Sequence, residues 1–136
     1  MSSLPFTITS QSAPVISAAY FFAAINIGFG INAILRPAHG LSFFELALPA
    51  GDKAARATVE SLMVVYGVRD IFMGAAMAAT AAFGTPAALG WILIAGTGVA
   101  VADGLVCYGH GKGQWNHWGH APLGLAVGLV LLGLFD

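Results

Sequence analysis

The sequence contains very little charge. Of its 136 residues, five are Lys or Arg and six are Asp or Glu, so charged residues make up 8% of the chain while apolar residues make up 58%. A soluble domain usually carries about 25% charged residues, and so few charges cannot cover a water-soluble surface. The formal net charge of −1 also provides no basic surface, so we expect no nucleic-acid partner.

Several kinds of chemical site are also missing. Cys107 is the only cysteine, which excludes an intrachain disulfide and a cysteine-rich metal site. The sequence has no glycine-rich dinucleotide motif, no phosphate-binding loop, no nucleophile elbow and no H-E-x-x-H pair. It therefore predicts neither a nucleotide site nor a serine hydrolase, and we expect no cofactor.

What the sequence does contain is apolar segments, at residues 13–35, 57–83, 87–108 and 115–135. A helix of about 20 apolar residues spans a bilayer, so four crossings and their loops nearly exhaust the chain. The predicted fold is all-α: an integral membrane four-helix bundle that forms a single domain over residues 1–136. Residues 1–12 lack the positive region of a cleavable signal peptide, so we expect the first segment to be an uncleaved anchor.

The basic residues outside these segments predict an orientation. Arg36, Lys53 and Arg56 follow the first segment, and Lys112 follows the third. Four crossings place these two loops on one side, and loops rich in Lys and Arg face the cytosol. We therefore expect both termini on the non-cytosolic side.

Small residues four positions apart predict close helix packing. Gly74 with Ala78 and Gly124 with Gly128 are such pairs, and small residues let helix backbones approach closely in lipid. These faces can be satisfied within the bundle, and they also leave room for a homodimer.

Ionisable residues occur where a bilayer disfavours them: Glu60, Arg69 and Asp70 in the second segment, Asp103 in the third and His120 in the fourth. A charge at mid-membrane costs about 3 kcal/mol even on insertion scales, so such residues usually face a bundle interior and mark a functional site. With Asn32, Tyr66 and His117, they all fall in the predicted cytosolic half of the bundle. We therefore expect a polar pocket that opens toward the cytosolic leaflet.

The second segment carries the densest part of this set. Tyr66, Arg69, Asp70 and Met73 share one helix face by their three- and four-residue spacing. We expect Arg69 to reach Asp103 or Glu60, but not both aspartates with ideal geometry. Acids outnumber bases here, and a protonated acid beside an ionised one is the usual basis of acid–base catalysis. The alternative is an inert buried ion pair that fixes the helix register.

Three histidines form an H-x6-H-x2-H pattern at His110, His117 and His120. Together with Asp103 they offer ligand types that suit a metal, but the spacing does not follow the i, i+4 repeat of a helical pair. We expect no metal, and we expect His117 or His120 to act as a proton shuttle, because imidazole titrates near physiological pH.

The order of these features resembles a known family. It consists of Asn32-x3-Arg36-Pro37, a G-x-R-D element at 67–70 followed by Gly74, Asp103-Gly104, and His117 with His120 before the last segment. Over residues 18–134 this pattern is similar to an uncharacterised family of small four-span membrane proteins of fungi and bacteria, a domain of unknown function. The overall plan is also similar to the broader group of DoxX-like proteins and anthrone oxygenases. Relatives of this size in fungi accompany natural-product pathways, which implies a lipophilic small-molecule substrate.

The residues and the resemblance together lead to one main hypothesis: a membrane enzyme that isomerises, cyclises or opens the epoxide of a lipophilic small molecule. By analogy, the set is similar to the Asp-Arg-Asp arrangement of limonene-type epoxide hydrolases. The predicted catalytic residues are Asp70, Asp103, Arg69, Tyr66 and His117, and the predicted substrate-binding residues are Asn32, Glu60, His120, Trp118 and Met73.

Two alternatives remain open. One is a cofactor-free oxygenase of the anthrone type that uses His117 or His120 as base. The other is a membrane scaffold or carrier without catalysis. In each case we expect the bilayer as a partner, in the endoplasmic reticulum of a fungus or the inner membrane of a bacterium.

Overall fold

The computed structural model describes residues 8–136, and these residues form six helices without a β-strand. Residues 1–7, part of the 1–12 segment in which no cleavable signal peptide is predicted, lie outside this description. The helices are α1 (Ala13–Leu35), α2 (Pro37–Ser42), α3 (Lys53–Phe83), α4 (Pro86–Gly109), α5 (Trp115–Trp118) and α6 (Ala121–Leu131).

Three of these helices, α1, α3 and α4, are long and apolar enough to cross a membrane. They contain 23, 31 and 24 residues, against the roughly 20 that a spanning helix needs. The prediction of an all-helical membrane protein is confirmed at this level.

The predicted fourth segment, 115–135, does not form one long helix. It divides into α5 and α6, and α6 has only 11 residues. Pro122 explains the break, because proline lacks an N–H group and its ring clashes with the carbonyl four residues earlier in a continuous helix. At the other end Gly133 adopts a φ of +88°, a conformation that commonly ends a helix at glycine.

Capping residues set two of the helix starts. The Asp52 carboxylate accepts hydrogen bonds from the backbone N–H groups of Ala54 and Ala55 at 2.8 and 3.0 Å, so α3 begins one turn before the predicted residue 57. The Thr85 hydroxyl accepts from the Ala88 N–H at 3.1 Å and begins α4.

Glycines bring the long helices together in two pairs. The backbone of α1 meets that of α3 where Gly30 lies against Gly67 and Ala23 lies against Gly74. In the second pair, α4 meets α6 where Gly90 lies against Gly128. Direct contacts are few where the two pairs face each other, and the main cavity lies there.

Each end of the bundle is closed by a long-range contact. At one end the Asn116 amide donates to the Phe43 carbonyl at 3.0 Å, which joins the loop after α2 to the segment after α4. At the other end the Ser10 backbone N–H donates to the Asp136 carboxylate at 2.7 Å. The two loops that carry Lys and Arg therefore meet at one end, and the first and last described residues meet at the other.

Candidate functional site

A cavity of about 340 Å³ runs between the two helix pairs, a volume within the usual range of small-molecule sites. Its polar lining groups come from every long helix and from the segment before α6: Asn26, Tyr66, Arg69, Asp70, Thr97, Asp103, Asn116, His117 and His120. Its apolar lining includes Phe21, Phe22, Ile25, Phe29, Phe43, Met73, Met77, Leu93, Val99 and Leu123. The cavity thus has a polar end and an apolar arm.

Arg69 joins both aspartates at the polar end. Its Nη1 and Nη2 donate to the two Asp103 oxygens at 3.1 and 2.9 Å, and its Nε and Nη2 donate to Asp70 Oδ1 at 3.1 and 3.0 Å. The expectation that Arg69 could not serve both aspartates well was therefore wrong. The reason is that the guanidinium is a planar fork with five donors, so its two edges serve two carboxylates at once.

The two carboxylates differ in how much of their bonding capacity Arg69 uses. Both Asp103 oxygens accept from Arg69, whereas both of its bonds to Asp70 end on Oδ1. The Tyr66 hydroxyl lies beside the Asp70 carboxylate, and the Tyr66 ring lies 4.3 Å from the guanidinium carbon of Arg69. Asp70 Oδ2 is thus the carboxylate oxygen that Arg69 leaves free.

Helix geometry places this cluster. Asp70 follows Arg69 directly in α3, and its side chain is 6% exposed because it points between the helix pairs. Asp103 lies on α4, the helix that follows the Gly84 turn and runs back along α3, and its side chain is 15% exposed. One arginine therefore links two helices across the cavity and satisfies acids that would otherwise lie unpaired in an apolar interior.

His117 contributes the last polar group at this end. Only 7% of the residue is exposed, and its ring lies 4.5 Å from the Phe44 ring, centroid to centroid. The Phe43 backbone hydrogen-bonds the imidazole, whereas Nε2 is buried and has no partner. The bond to Phe43 therefore belongs to Nδ1, which leaves Nε2 as a hydrogen-bond acceptor in the neutral ring.

Seven of the ten predicted site residues line this cavity: Tyr66, Arg69, Asp70, Met73, Asp103, His117 and His120. The structure does not bring the other three, Asn32, Glu60 and Trp118, to its wall.

Glu60 lies on the outside of α3. Its carboxylate accepts from Arg56 Nε at 2.9 Å in an exposed i, i+4 pair. Ten residues separate it from Asp70 along the same helix, or about 15 Å at 1.5 Å per residue. The predicted role of Glu60 in substrate binding is therefore wrong for this cavity.

Trp118 and Asn32 have other partners. The Trp118 indole N–H donates to the Val101 carbonyl at 3.1 Å, and its ring covers Gly104, so it holds α5 against α4 behind the cavity. Asn32 Oδ1 accepts a hydrogen bond from His39 Nδ1 at 2.9 Å in a shallow groove beside Phe43. Neither residue has the predicted contact with the cavity.

Asn26 takes the place that the sequence suggested for Asn32. It lines the cavity, and its amide donates to the Phe22 carbonyl of its own helix at 2.9 Å. It is thus not the interhelical link that a buried asparagine suggests. Phe43 also lines the cavity from the loop after α2, and no spacing in the sequence identifies it.

The three histidines of the H-x6-H-x2-H pattern do not meet at one point, since His117 and His120 line the cavity and His110 does not. Within residues 8–136, no three His, Cys, Asp or Glu side chains form a group that could hold a metal ion. His110 lies exposed in the loop after α4, while His117 is buried.

The profile of a domain of unknown function, DUF4267, matches residues 23–131. The chain belongs to this family. The matched segment starts inside α1, ends with α6 and includes every polar residue of the cavity. No curated protein and no solved structure matches the chain significantly.

Proposed function

We propose that this DUF4267 protein is a membrane-embedded enzyme that performs acid–base chemistry on a lipophilic small molecule. The observation that carries the proposal is the Asp70–Arg69–Asp103 cluster at the polar end of the cavity, next to its apolar arm. Two carboxyl groups lie on either side of the Arg69 guanidinium, in a cavity large enough for a small molecule. One carboxyl can therefore give a proton to a substrate while the other accepts one.

The two acids take different roles in this proposal. Asp103 stays ionised against Arg69 and acts as the base, while Asp70 carries a proton on Oδ2 and acts as the acid. In an isomerisation, Asp103 takes a proton from one substrate carbon as Asp70 delivers one to another. In epoxide opening, Asp70 protonates the epoxide oxygen, Asp103 takes a proton from water, the water oxygen bonds to carbon and the C–O bond breaks. The net result of epoxide opening is addition of one water. In both reactions a proton then passes from Asp103 back to Asp70, which restores the starting protonation of the two acids.

The test is turnover by the purified protein in lipid nanodiscs. Lipophilic epoxides and β,γ-enones are incubated in D₂O, and diol formation and deuterium uptake are followed by mass spectrometry. We expect Asp70→Asn and Asp103→Asn each to lower the rate about 10²–10⁴-fold, the usual contribution of a general acid or base. Glu60→Gln removes a carboxyl outside the cavity and should leave the rate unchanged. Equal rates for all four proteins would overturn the proposal.

The unpartnered Nε2 of His117 supports a second candidate. In a cofactor-free oxygenase of the anthrone type, His117 takes a proton from an acidic phenolic substrate. The carbanion then reduces dioxygen to a hydroperoxide, which loses water to leave a quinone. Loss of oxygen uptake in His117→Phe, with uptake retained in Asp103→Asn, would favour this candidate over the first.

The proposal also includes the membrane arrangement. We propose that α5 and α6 together make the fourth crossing of a single-domain bundle, with both termini on the non-cytosolic side. The support is that the Lys- and Arg-bearing loops meet at one end of the molecule. A relation to the DoxX-like and anthrone-oxygenase group is part of the same proposal and rests on the G-x-R-D element and the helical plan.

A further inference from the structure

The cavity opens sideways between α1 and α6. These helices converge near the ends of the chain, where Val15 and Ala19 pack in one cluster with Leu131. Toward the polar end the two helices separate. Phe29 of α1 and Leu123 of α6 line the cavity there, and these residues are also 40% and 59% exposed on the outside of the molecule, respectively. Because α1 is apolar enough to span a bilayer, this gap faces lipid.

Contacts between residues far apart in the sequence occupy the loop end of the cavity. Asn116 bonds to the Phe43 carbonyl below the cavity, and the His117 ring lies on Phe44 beside it. A ligand that comes from the bilayer through the α1–α6 gap therefore passes between Phe29 and Leu123 and arrives beside the polar cluster, and the apolar arm extends from there toward the ends of the chain.

Two groups at the polar end can bind a ligand oxygen without giving up a bond within the protein: His117 Nε2 as an acceptor and one Arg69 N–H as a donor. His117 Nε2 is buried without a partner, which is unfavourable unless a ligand satisfies it. Arg69 makes four hydrogen bonds to the carboxylates and so retains one of the five N–H groups of a guanidinium. A hydroxyl group donates one hydrogen bond and accepts another, so it satisfies both.

The apolar arm has room for a flexible body. Met73 and Met77 line it with Leu93, and methionine side chains adapt to irregular ligand shapes because they are unbranched and polarisable. No charged residue lines this arm.

From these features we infer that the site binds a lipophile with a single hydroxyl or enol head, which enters from the bilayer between α1 and α6. The head oxygen donates its proton to His117 Nε2 and accepts from Arg69, and the hydrocarbon body lies along Met73 and Met77. This inference rests on the proposed function for its site, and it adds the class of substrate and its route.

The first test uses a dodecanol probe with a diazirine at the end remote from the hydroxyl, in nanodiscs that contain the full chain. We expect photolabelling on Met73, Met77 or Leu93, mapped by mass spectrometry. The matched probe without the hydroxyl should label these residues about tenfold less, because it leaves Nε2 unsatisfied. His117→Phe keeps a flat ring against Phe44 and should reduce dodecanol labelling by about the same factor.

His110→Phe is the control, since His110 lies outside the cavity, and it should label as the wild type does. Thermal melts of both variants identify a folding defect, and in that event His117→Gln replaces His117→Phe. Equal labelling by the two probes, or labelling by dodecanol that persists in the folded His117 variant, would overturn the inference.

The second test examines the route. Leu123 lines the cavity at the α1–α6 gap, whereas Leu125 is an exposed neighbour on the same helix that does not line it. Leu123→Trp should fill the gap and slow labelling about tenfold or more, and Leu125→Trp should not. Equal labelling rates in these two variants would exclude entry at this gap.

The two proposals fail in different ways. Hydroxyl-dependent labelling without turnover of any substrate would remove the acid–base enzyme and keep the binding site. Turnover that Asp103→Asn abolishes, with no hydroxyl-dependent labelling, would keep the enzyme and remove the proposed substrate class.

Discussion

At the scale of single residues, Arg69 is the centre of the molecule. It binds one carboxylate on its own helix and one on the neighbouring helix, so the cluster holds two acids and one base. The contact with Asp70 joins adjacent residues, whereas the contact with Asp103 joins α3 to α4. The two aspartates should therefore contribute differently to stability.

We expect Asp70→Asn to change the free energy of unfolding little, because the Arg69–Asp103 ion pair, which carries no net charge, remains. Asp103→Asn removes the charge and one of the two acceptor oxygens that bond α4 to Arg69 of α3, and it should lower stability by about 1.5–3 kcal/mol, the usual range for hydrogen bonds to charged groups. Thermal melts in detergent measure both changes.

Glu60→Gln serves as the control for these melts. Its carboxylate belongs to an exposed pair with Arg56, so the change should stay within about 0.5 kcal/mol. If both aspartate variants are unfolded in detergent before heating, the cluster is needed for the helices to pack, and the scaffold alternative is favoured. If Asp103→Asn melts with the wild type, the bridge does not hold α3 to α4.

The acidic cluster was predictable because charges are conspicuous in apolar segments. The choice between Asn26 and Asn32 was not, since both lie on α1 and only the crossing of α1 with α3 decides which reaches the cavity. Phe43 was also beyond prediction, because the loop after α2 folds under the cavity through a contact with Asn116, which lies 73 positions further along the chain.

At the scale of helices, glycine determines which elements pair. The predicted bounds of the first and third segments agree closely with α1 and α4 because apolar length and proline positions define them. The fourth segment was predicted as continuous because its composition is largely apolar, but Pro122 interrupts the helix despite that composition. Which helices pair closely depends on where the small residues meet, and spacing alone gives only candidate faces.

The pairing of α1 with α3 can be tested at two glycines of one helix. A Cβ on Gly30 would clash with the Gly67 carbonyl and lie 2.8 Å from the Ile71 nitrogen, whereas a Cβ on Gly28 meets nothing within 4 Å. We expect Gly30→Ala to lower stability by about 1–3 kcal/mol through overpacking.

Gly28→Ala is the matched change and should be neutral or stabilise by up to about 1 kcal/mol, from the better helix propensity of alanine. Melts of both variants in one detergent provide the comparison. Equal melting temperatures would show that α1 and α3 do not pack at Gly30.

At the scale of the whole molecule, the contact between Ser10 and Asp136 joins residues 126 positions apart. The Ser10 hydroxyl and then its backbone N–H donate to this carboxylate, and both lower the pKa of Asp136. The contact thus joins the segment before α1 to the residues after α6, at the end of the bundle opposite the site.

This contact should make stability depend on pH in a defined direction. Because the pKa of Asp136 is lower in the folded than in the unfolded chain, its stabilisation is complete above the unfolded pKa of about 3.9 and is lost as pH falls through the folded pKa. The difference in melting temperature between wild type and Asp136→Asn should be constant from pH 7 to about 5 and shrink below about 4.

Ser10→Ala should show the same trend, reduced in size because the backbone donor remains. A difference between wild type and Asp136→Asn that does not change with pH would mean that the carboxylate makes no contact in the folded state.

The proposed orientation predicts opposite accessibility at the two ends. In a Cys107→Ala background, Phe83→Cys lies beside the Gly84 turn, and His110→Cys lies in the Lys112 loop. We expect a membrane-impermeant maleimide to label Phe83→Cys in intact cells and His110→Cys only after lysis. The reverse pattern would invert the bundle, and labelling of both in intact cells would contradict a complete crossing by α4, the helix between them.

The 11 residues of α6 have a consequence for the surrounding lipid. At 1.5 Å per residue this helix is roughly 16 Å long, about half of a typical hydrocarbon core of about 30 Å. Next to α1 and α4, which match the full thickness, α6 fills only part of the proposed fourth crossing and the short α5 follows a break in the helix, so a hydrophobic mismatch arises on this side of the molecule only. Lipids there must thin or tilt at a cost of fractions of a kcal/mol per Å, so the protein should favour thin bilayers and distort them at the α1–α6 gap.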